Sequence, residues 1–366
     1  MVNTIQEIVS YLEKIAPPAY QESYDNAQLI TGNPRDQVNG ILCTLDATEA
    51  VVDEAIALGC NLIIAHHPIV FKGLKSLTGR DYVERTVIKA IKNDIAIYAI
   101  HTNLDHVAQG VNKKISDKLG LINTKILKPK KQILSKLTTF TPKEATEKVL
   151  NALFEAGAGK IGEYSGCSFL AEGMGTYTPS EHSDPYIGSK GTPHKEAETR
   201  IEVLLPGYLE KKVLAALLSS HPYEEVAYFL HKLENENQEV GAGMIGELET
   251  PLEETEFLHY LKKNMELHTV KHTHLLGKPI KKVAVCGGSG IFLLSDAIKA
   301  KADIFITSDV KYHEFFDADN QLIICDIGHY ESEIHTKELL KDLLSQNFAN
   351  IALYLTKVVT NPITYI

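Results

Sequence analysis

Residues 61–71, NLIIAHHPIVF, constrain this chain more than any other stretch. Leu62, Ile63 and Ile64 make too short and too β-branched a run for a helix and read as a buried strand. Pro68 brings no N–H to a ladder and cannot enter a helix interior, so the strand ends before it. His66 and His67 therefore stand at the carboxyl end of a buried strand, the edge where open α/β sheets bind ligands. Side chains alternate along a strand, so the two imidazoles point in different directions. From one corner they could serve two metal ions, or one metal and one substrate. Two polar residues filling a turn is the plain alternative.

The same grammar recurs on both sides of an interruption. A strand at 40–45 (GILCTL) leads to a helix at 49–58, capped by Asp46 or Thr48 and stopped by Gly59, and then to the HHP strand. This βαβ unit makes parallel strands. A Gly/Lys/Ser/Thr loop at 71–80 is a candidate lid. After a helix at 81–93, the buried strand 95–100 (IAIYAI) runs into HTNLDH, so His101 and Asp105 leave a second strand at the same edge. From about residue 136 the order becomes strand, helix, two strands, helix, strand, ending near 233, which is the βαββαβ order of a ferredoxin-like unit. Its Pro/Gly/Ser/His-rich stretch 178–199 reads as a long mobile loop or a partner contact. The α/β pattern then resumes with a strand at 282–286, the GGSG loop at 287–290, a helix at 293–301 and a buried strand at 304–307 followed by Asp309, Lys311 and His313. A strand at 321–325 leads into DIGHYESE, and a final strand is expected at 353–355 and 358–359. Setting 53–56 over 295–298 lays Ala65 on Thr307 and His67 on Asp309. That is consistent with an internal duplication, although any two βαβ units look alike. The expected fold is α/β, with a duplicated core at 1–130 and 238–366 and an inserted ferredoxin-like α+β domain at 135–235.

His329 and Glu333 are four residues apart and share a face if a helix begins near His329. They are either a ligand pair or part of a solvated face. Together with His66, His67 and Asp105 they make five imidazole and carboxylate groups, all leaving carboxyl ends of buried strands. Such mixed N/O sets suit zinc, iron, manganese or cobalt. Five ligands exceed one open zinc site and are about right for two ions ~3.5–4 Å apart sharing a carboxylate. His101, Asp309 and His313 are candidates for general acid or base work at the same edge. GGSG lacks the third glycine of a dinucleotide loop and reads as a tight turn whose N–H groups could hold a phosphate. His272 and His274 share a strand face, as metal ligands or as a solvated edge.

The ordered set of HHP, HTNLD, GAGMIGEL (241–248), VAVCGGSG (283–290) and GHYESE resembles the Nif-three-like family, whose members often carry the label GTP cyclohydrolase 1 type 2 homologue. The resemblance covers roughly 1–130 and 238–366, and the inserted unit resembles the PII/CutA-like insert of longer bacterial members. It implies a dinuclear metal site at His66, His67, Asp105, His329 and Glu333, and a toroidal homohexamer with sites facing an internal cavity. DNAQL at 25–29 departs from the family's DN-x-G-L, with Gln28 in place of glycine.

The leading expectation is a cytoplasmic hydrolase using two divalent metal ions per subunit, zinc first, on a nucleotide or related small molecule. The alternative is a metal-binding regulatory or storage scaffold without catalysis. A net charge of −10 argues against nucleic-acid backbone binding. Five scattered cysteines with no CxxC pair indicate neither a disulfide framework nor a thiolate zinc site. The N-terminus reads as an amphipathic helix rather than a signal peptide, and no apolar run reaches the ~18 residues of a membrane span.

Overall fold

The computed structural model describes residues 3–366, which divide into two compact units. One joins residues 3–129 to 238–366 and the other is Lys130–Asn237.

Among the described residues the first unit holds a five-stranded and a six-stranded sheet. At the centre of the five-stranded sheet lie Gly40–Asp46, Leu62–His67 and Ala96–Ala99, all parallel. At the centre of the six-stranded sheet lie Ile280–Ser289, Ile304–Ser308 and Ile323–Asp326, again parallel. The registers repeat. Ile41 faces Leu62 as Val283 faces Ile304, and Cys43 faces Ile64 as Val285 faces Ile306. This is the register set by the overlay of 53–56 on 295–298, so the core is built from two copies of one βαβ corner. Each sheet buries one apolar face under its own helix: Leu42, Ile63 and Ile97 under Glu49–Ala57, and Ala284, Phe305 and Ile324 under Leu294–Lys299.

The halves then exchange helices. Val111–Lys118, from the first half, packs on strand Ile280–Ser289, and Thr336–Asn347, from the second, packs on Gly40–Asp46. The exchange brings the carboxyl edges of the two sheets into one unit. Thr4 starts the first helix, Ile5–Ile15, with a capping box to Glu7, and Ile5, Ile8, Val9 and Leu12 are its buried stripe.

Several local expectations change. Strand Ile122–Lys130 was not legible because it is an edge strand rich in exposed polar residues rather than an apolar run. Helix Glu254–Asn264 was also unread, since only Glu254, Phe257 and Leu261 along it are buried. Residues 358–359 form no strand. Lys271–His272 is an exposed two-residue edge strand, and His274 lies beyond it.

The second unit runs strand, helix, strand, strand, helix, strand. Its antiparallel sheet has the spatial order Ser168–Tyr177, His194–Pro206, Leu134–Pro142, Tyr228–Leu233. Helices Thr146–Glu155 and Glu210–Ser220 cover one face of it over Leu137, Ile201, Val203 and Leu205. The stretch at 178–199 is shorter as a loop than the sequence suggested, because the strand already begins at His194.

Candidate metal centre

His66 and His67 are the last two residues of Leu62–His67, and the ladder puts Asp46 opposite His67. Asp105 ends the one-turn helix Thr102–Asp105, which follows strand Ala96–Ala99. His329 and Glu333 begin and end the short helix His329–Glu333, which follows strand Ile323–Asp326. Both halves thus carry a ligand-bearing helical turn just past their third parallel strand.

Four imidazoles are oriented in the same way. His66 Nδ1 lies 2.8 Å from the Ile100 carbonyl, His67 Nδ1 2.8 Å from Asp46, His101 Nδ1 2.8 Å from Asp25 and His329 Nδ1 2.6 Å from Asp309. Every one of these partners accepts, so each Nδ1 donates and each Nε2 is left as the working atom. This arrangement of outer acceptor, imidazole and inward Nε2 is how proteins hold metal-ligating histidines. Glu333 Oε2 sits 2.9 Å from His67 Nε2 and 3.1 Å from His329 Nε2. His66 Nε2 and Asp105 Oδ1 face each other at 3.5 Å. Neither of these two buried atoms has a hydrogen-bond partner.

Burial is the largest influence on each group, and the neighbours decide the outcome. Burial drives the His66 ring down to about 3, so it is neutral. For His67 burial also disfavours the charge, but hydrogen bonds to Asp46 and Glu333 outweigh it and lift the ring to about 10. His329 is lifted to about 9 against burial by Glu333 and Asp309. Glu333 is held well below the carboxylate range, against burial, by its bonds to His329 and His67. Asp105 is pushed well above that range by burial and by the Glu333 charge. Asp25 falls to about 2, against burial, through its bonds to His101 and Thr102.

These residues fit a metal. A neutral imidazole lone pair and a carboxylate oxygen facing each other need a proton or a cation between them. Three overlapping sets have ligand atoms within 4.8 Å of one another: His66, His67 and His101; His67, His329 and Glu333; and His66, Asp105 and Glu333. All five expected ligands come together. His101 joins them through the first set, a place among candidate ligands that sequence reasoning did not give it. Asp309, expected as an acid or base, instead holds His329 from a left-handed backbone position (φ 56°). His313 is exposed beside Tyr312 and Phe316 and does not line the cavity. The orienting roles of Asp25 and Asp46 were not legible. The DN of the DNAQL segment and the Asp ending GILCTLD were their only signals.

The GGSG turn serves the protein rather than a phosphate. Gly287 N–H donates to Asn112 Oδ1, Gly288 N–H to Ser332 Oγ and Gly290 N–H to Thr307 Oγ1. Gly288 (φ 60°) is also where Glu333 comes close, since a Cβ there would lie 2.4 Å from Glu333 Oε1. The cluster opens into a cavity of about 1050 Å³, whose walls include the exposed rings of Tyr24, Phe71, Tyr82 and Phe292.

A duplicated α/β core with histidines and carboxylates converging at its strand ends defines a class of candidate metal-binding α/β proteins. The chain belongs to the Duf34/NIF3 (NGG1p interacting factor 3) family, which residues 3–362 match. It is 39% identical over 366 residues to the GTP cyclohydrolase 1 type 2 homolog of Halalkalibacterium halodurans, covering 99% of this chain and 98% of that one. The Bacillus subtilis protein of the same name is 36% identical over the same shares. The crystal structure of a Bacillus cereus protein related to NIF3 superposes with a TM-score of 0.86 at 36% identity over the whole of both chains.

Proposed function

We propose that the chain is a metal-dependent hydrolase holding two divalent cations, zinc first with iron, manganese or cobalt also suited, and acting on a nucleotide or related small molecule. The observation that carries this reading is the unpartnered pair His66 Nε2 and Asp105 Oδ1, set beside His67, His329 and Glu333 in an open cavity. The name of its curated relatives and the aromatic walls of the cavity support a ring-bearing substrate. His66, His67, Asp105, His329 and Glu333 would hold the ions, with His101 adjoining. When bound, such ions lower the pKa of water and polarise a substrate oxygen.

The chain's own residues do the rest. Asp25, Asp46, Asp309 and the Ile100 carbonyl fix the imidazole tautomers and aim each Nε2 inward. His101, braced by Asp25 and lining the cavity, holds or passes a proton at Nε2. Phe71 packs edge-on against the His101 ring at 5.6 Å and limits its movement. Assembly into a homohexamer belongs to the same proposal and is read by light scattering as six chain masses. No helix among the described residues is long and apolar enough to cross a membrane.

The test is metal analysis of protein purified without added metal, followed by a hydrolysis screen over a nucleotide panel against His67→Ala. Loaded protein that turns over a nucleotide, and a variant that loses ions and turnover together, support the reading. Full loading with no turnover across the panel overturns the hydrolase and leaves a metal-holding scaffold.

A further inference from the structure

The second unit contains a cavity of its own, of about 970 Å³, formed entirely by residues between Phe140 and Ala227. Its floor is the face of the four-stranded sheet turned away from the two helices, and its roof is the loop after Tyr177. Glu198 lies on that floor with only 9% of its surface exposed. One of its oxygens accepts the Tyr223 hydroxyl at 2.9 Å. Gly175 makes room for the other, since a Cβ there would lie 2.1 Å from Glu198 Oε2.

A buried carboxylate is costly unless a positive charge or enough donors compensate it. Among the described residues no basic side chain forms an ion pair with Glu198. His221 Nε2 donates to the Phe140 carbonyl and its Nδ1 accepts the Tyr223 N–H, so this ring is neutral. His194 faces Glu196, and Arg200, which also lines this cavity, has its charge paired with Glu202 at 3.0 Å. Lys143 is taken by Glu172 at 2.9 Å. Around Glu198 stand aromatic rings instead. Tyr223 lies 6.2 Å from Tyr177 and 6.3 Å from Tyr186, centroid to centroid, and Phe140 lines the same space. Ring faces attract cations at about 6 Å, and a carboxylate at the base of such a pocket fixes the charged head.

We propose that this cavity in the inserted unit is a binding site for a small organic cation, an ammonium or guanidinium compound, with its charged group on Glu198 and its body between Tyr177, Tyr186 and Tyr223. The cavity has room for several carbon atoms beyond the head group. This site is independent of the metal reading, because no residue lining it belongs to the core unit.

The experiment is isothermal titration of the full chain with four probes: 1,4-diaminobutane, agmatine, 1,4-butanediol and succinate. All four have a four-carbon chain, and their amine, guanidine, hydroxyl or carboxylate ends set the charge. Binding of at least one of the two cations, with no heat from the diol or the dianion, is the expected result. Glu198→Gln should weaken the bound cation by at least about tenfold, the scale of a lost charged hydrogen bond. Tyr186→Ala, on an exposed part of the roof, should weaken it severalfold without touching the sheet. Circular dichroism checks both folds, and Tyr186→Ala alone decides if Glu198→Gln unfolds. The proposal is overturned if neither cation binds at millimolar concentration, if the diol binds as well as the diamine, or if every folded variant binds as the parent does.

Discussion

Replacing Glu333 by glutamine tests the electrostatic core of the site in the metal-free protein. Glu333 is 3% exposed, and one oxygen contacts His67 Nε2 at 2.9 Å and His329 Nε2 at 3.1 Å. The carboxylate is held below its ordinary value of 4.5, while the rings are raised from 6.5 to about 10 and about 9. Glutamine keeps the shape and removes the charge, leaving the partly buried His67 and His329 imidazolium ions facing an amide. Removing one partner of a buried ion pair costs about 3–5 kcal/mol, and we take about 3 because the amide oxygen still accepts one bond. For a unit of this size that lowers the melting temperature by about 6–12 °C.

The pH dependence follows from the directions of the shifts. A depressed carboxylate contributes stability above its unfolded pKa of 4.5 and loses it as pH falls through the folded value. Raised histidines contribute fully below 6.5 and lose it as pH rises through about 9 and about 10. The gap between parent and Glu333→Gln should therefore be widest near pH 5–6.5 and close above pH 10. Thermal unfolding by circular dichroism on EDTA-treated protein measures it; the chain has no tryptophan to follow. A gap below about 1 °C at pH 6, or one that is flat with pH, would refute the ion-pair account.

Four further outcomes follow from the same geometry. His66→Ala or Asp105→Ala should abolish retention of one or both ions in metal analysis, because each removes an atom with no other partner, whereas His313→Ala should leave loading unchanged. Thr360→Val removes the 2.5 Å bond to Asp46 Oδ2, which orients His67, and should weaken metal affinity about 10–100-fold in competition with a chelating dye. Gly288→Ala should lower both the melting temperature and metal loading, since the new Cβ meets Glu333 and the left-handed backbone is strained. Apparent metal affinity should rise with pH between 6 and 9, by up to about tenfold per unit for each proton displaced from His67 and His329, with matching proton release in a weakly buffered titration.

The strand ends were legible because their signals are local. β-branched runs stop at Pro68, His101 and DIGH, and polar side chains follow at once. The equal registers of the two βαβ corners were also legible, as an overlay of 53–56 on 295–298. The lone Lys-rich edge strand Ile122–Lys130 was not, because an edge needs no apolar pattern. The GGSG turn looked open to a phosphate because a sequence does not show which side chains will reach its N–H groups. In the fold those side chains are Asn112, Ser332 and Thr307.

By itself the sequence determined which residues would stand at a sheet edge, since the period of a strand and the stiffness of proline act over a few residues. Only the tertiary structure decided which of those edges meet. His67 and Glu333 are 266 positions apart and touch because the two sheets trade helices Val111–Lys118 and Thr336–Asn347. The same packing turned Asp309 from a candidate acid or base into a support for His329, brought His101 into the cluster and left His313 outside the cavity. Those assignments depend on where a carboxylate lies relative to an imidazole to within an ångström, a distance fixed by how whole sheets and helices pack.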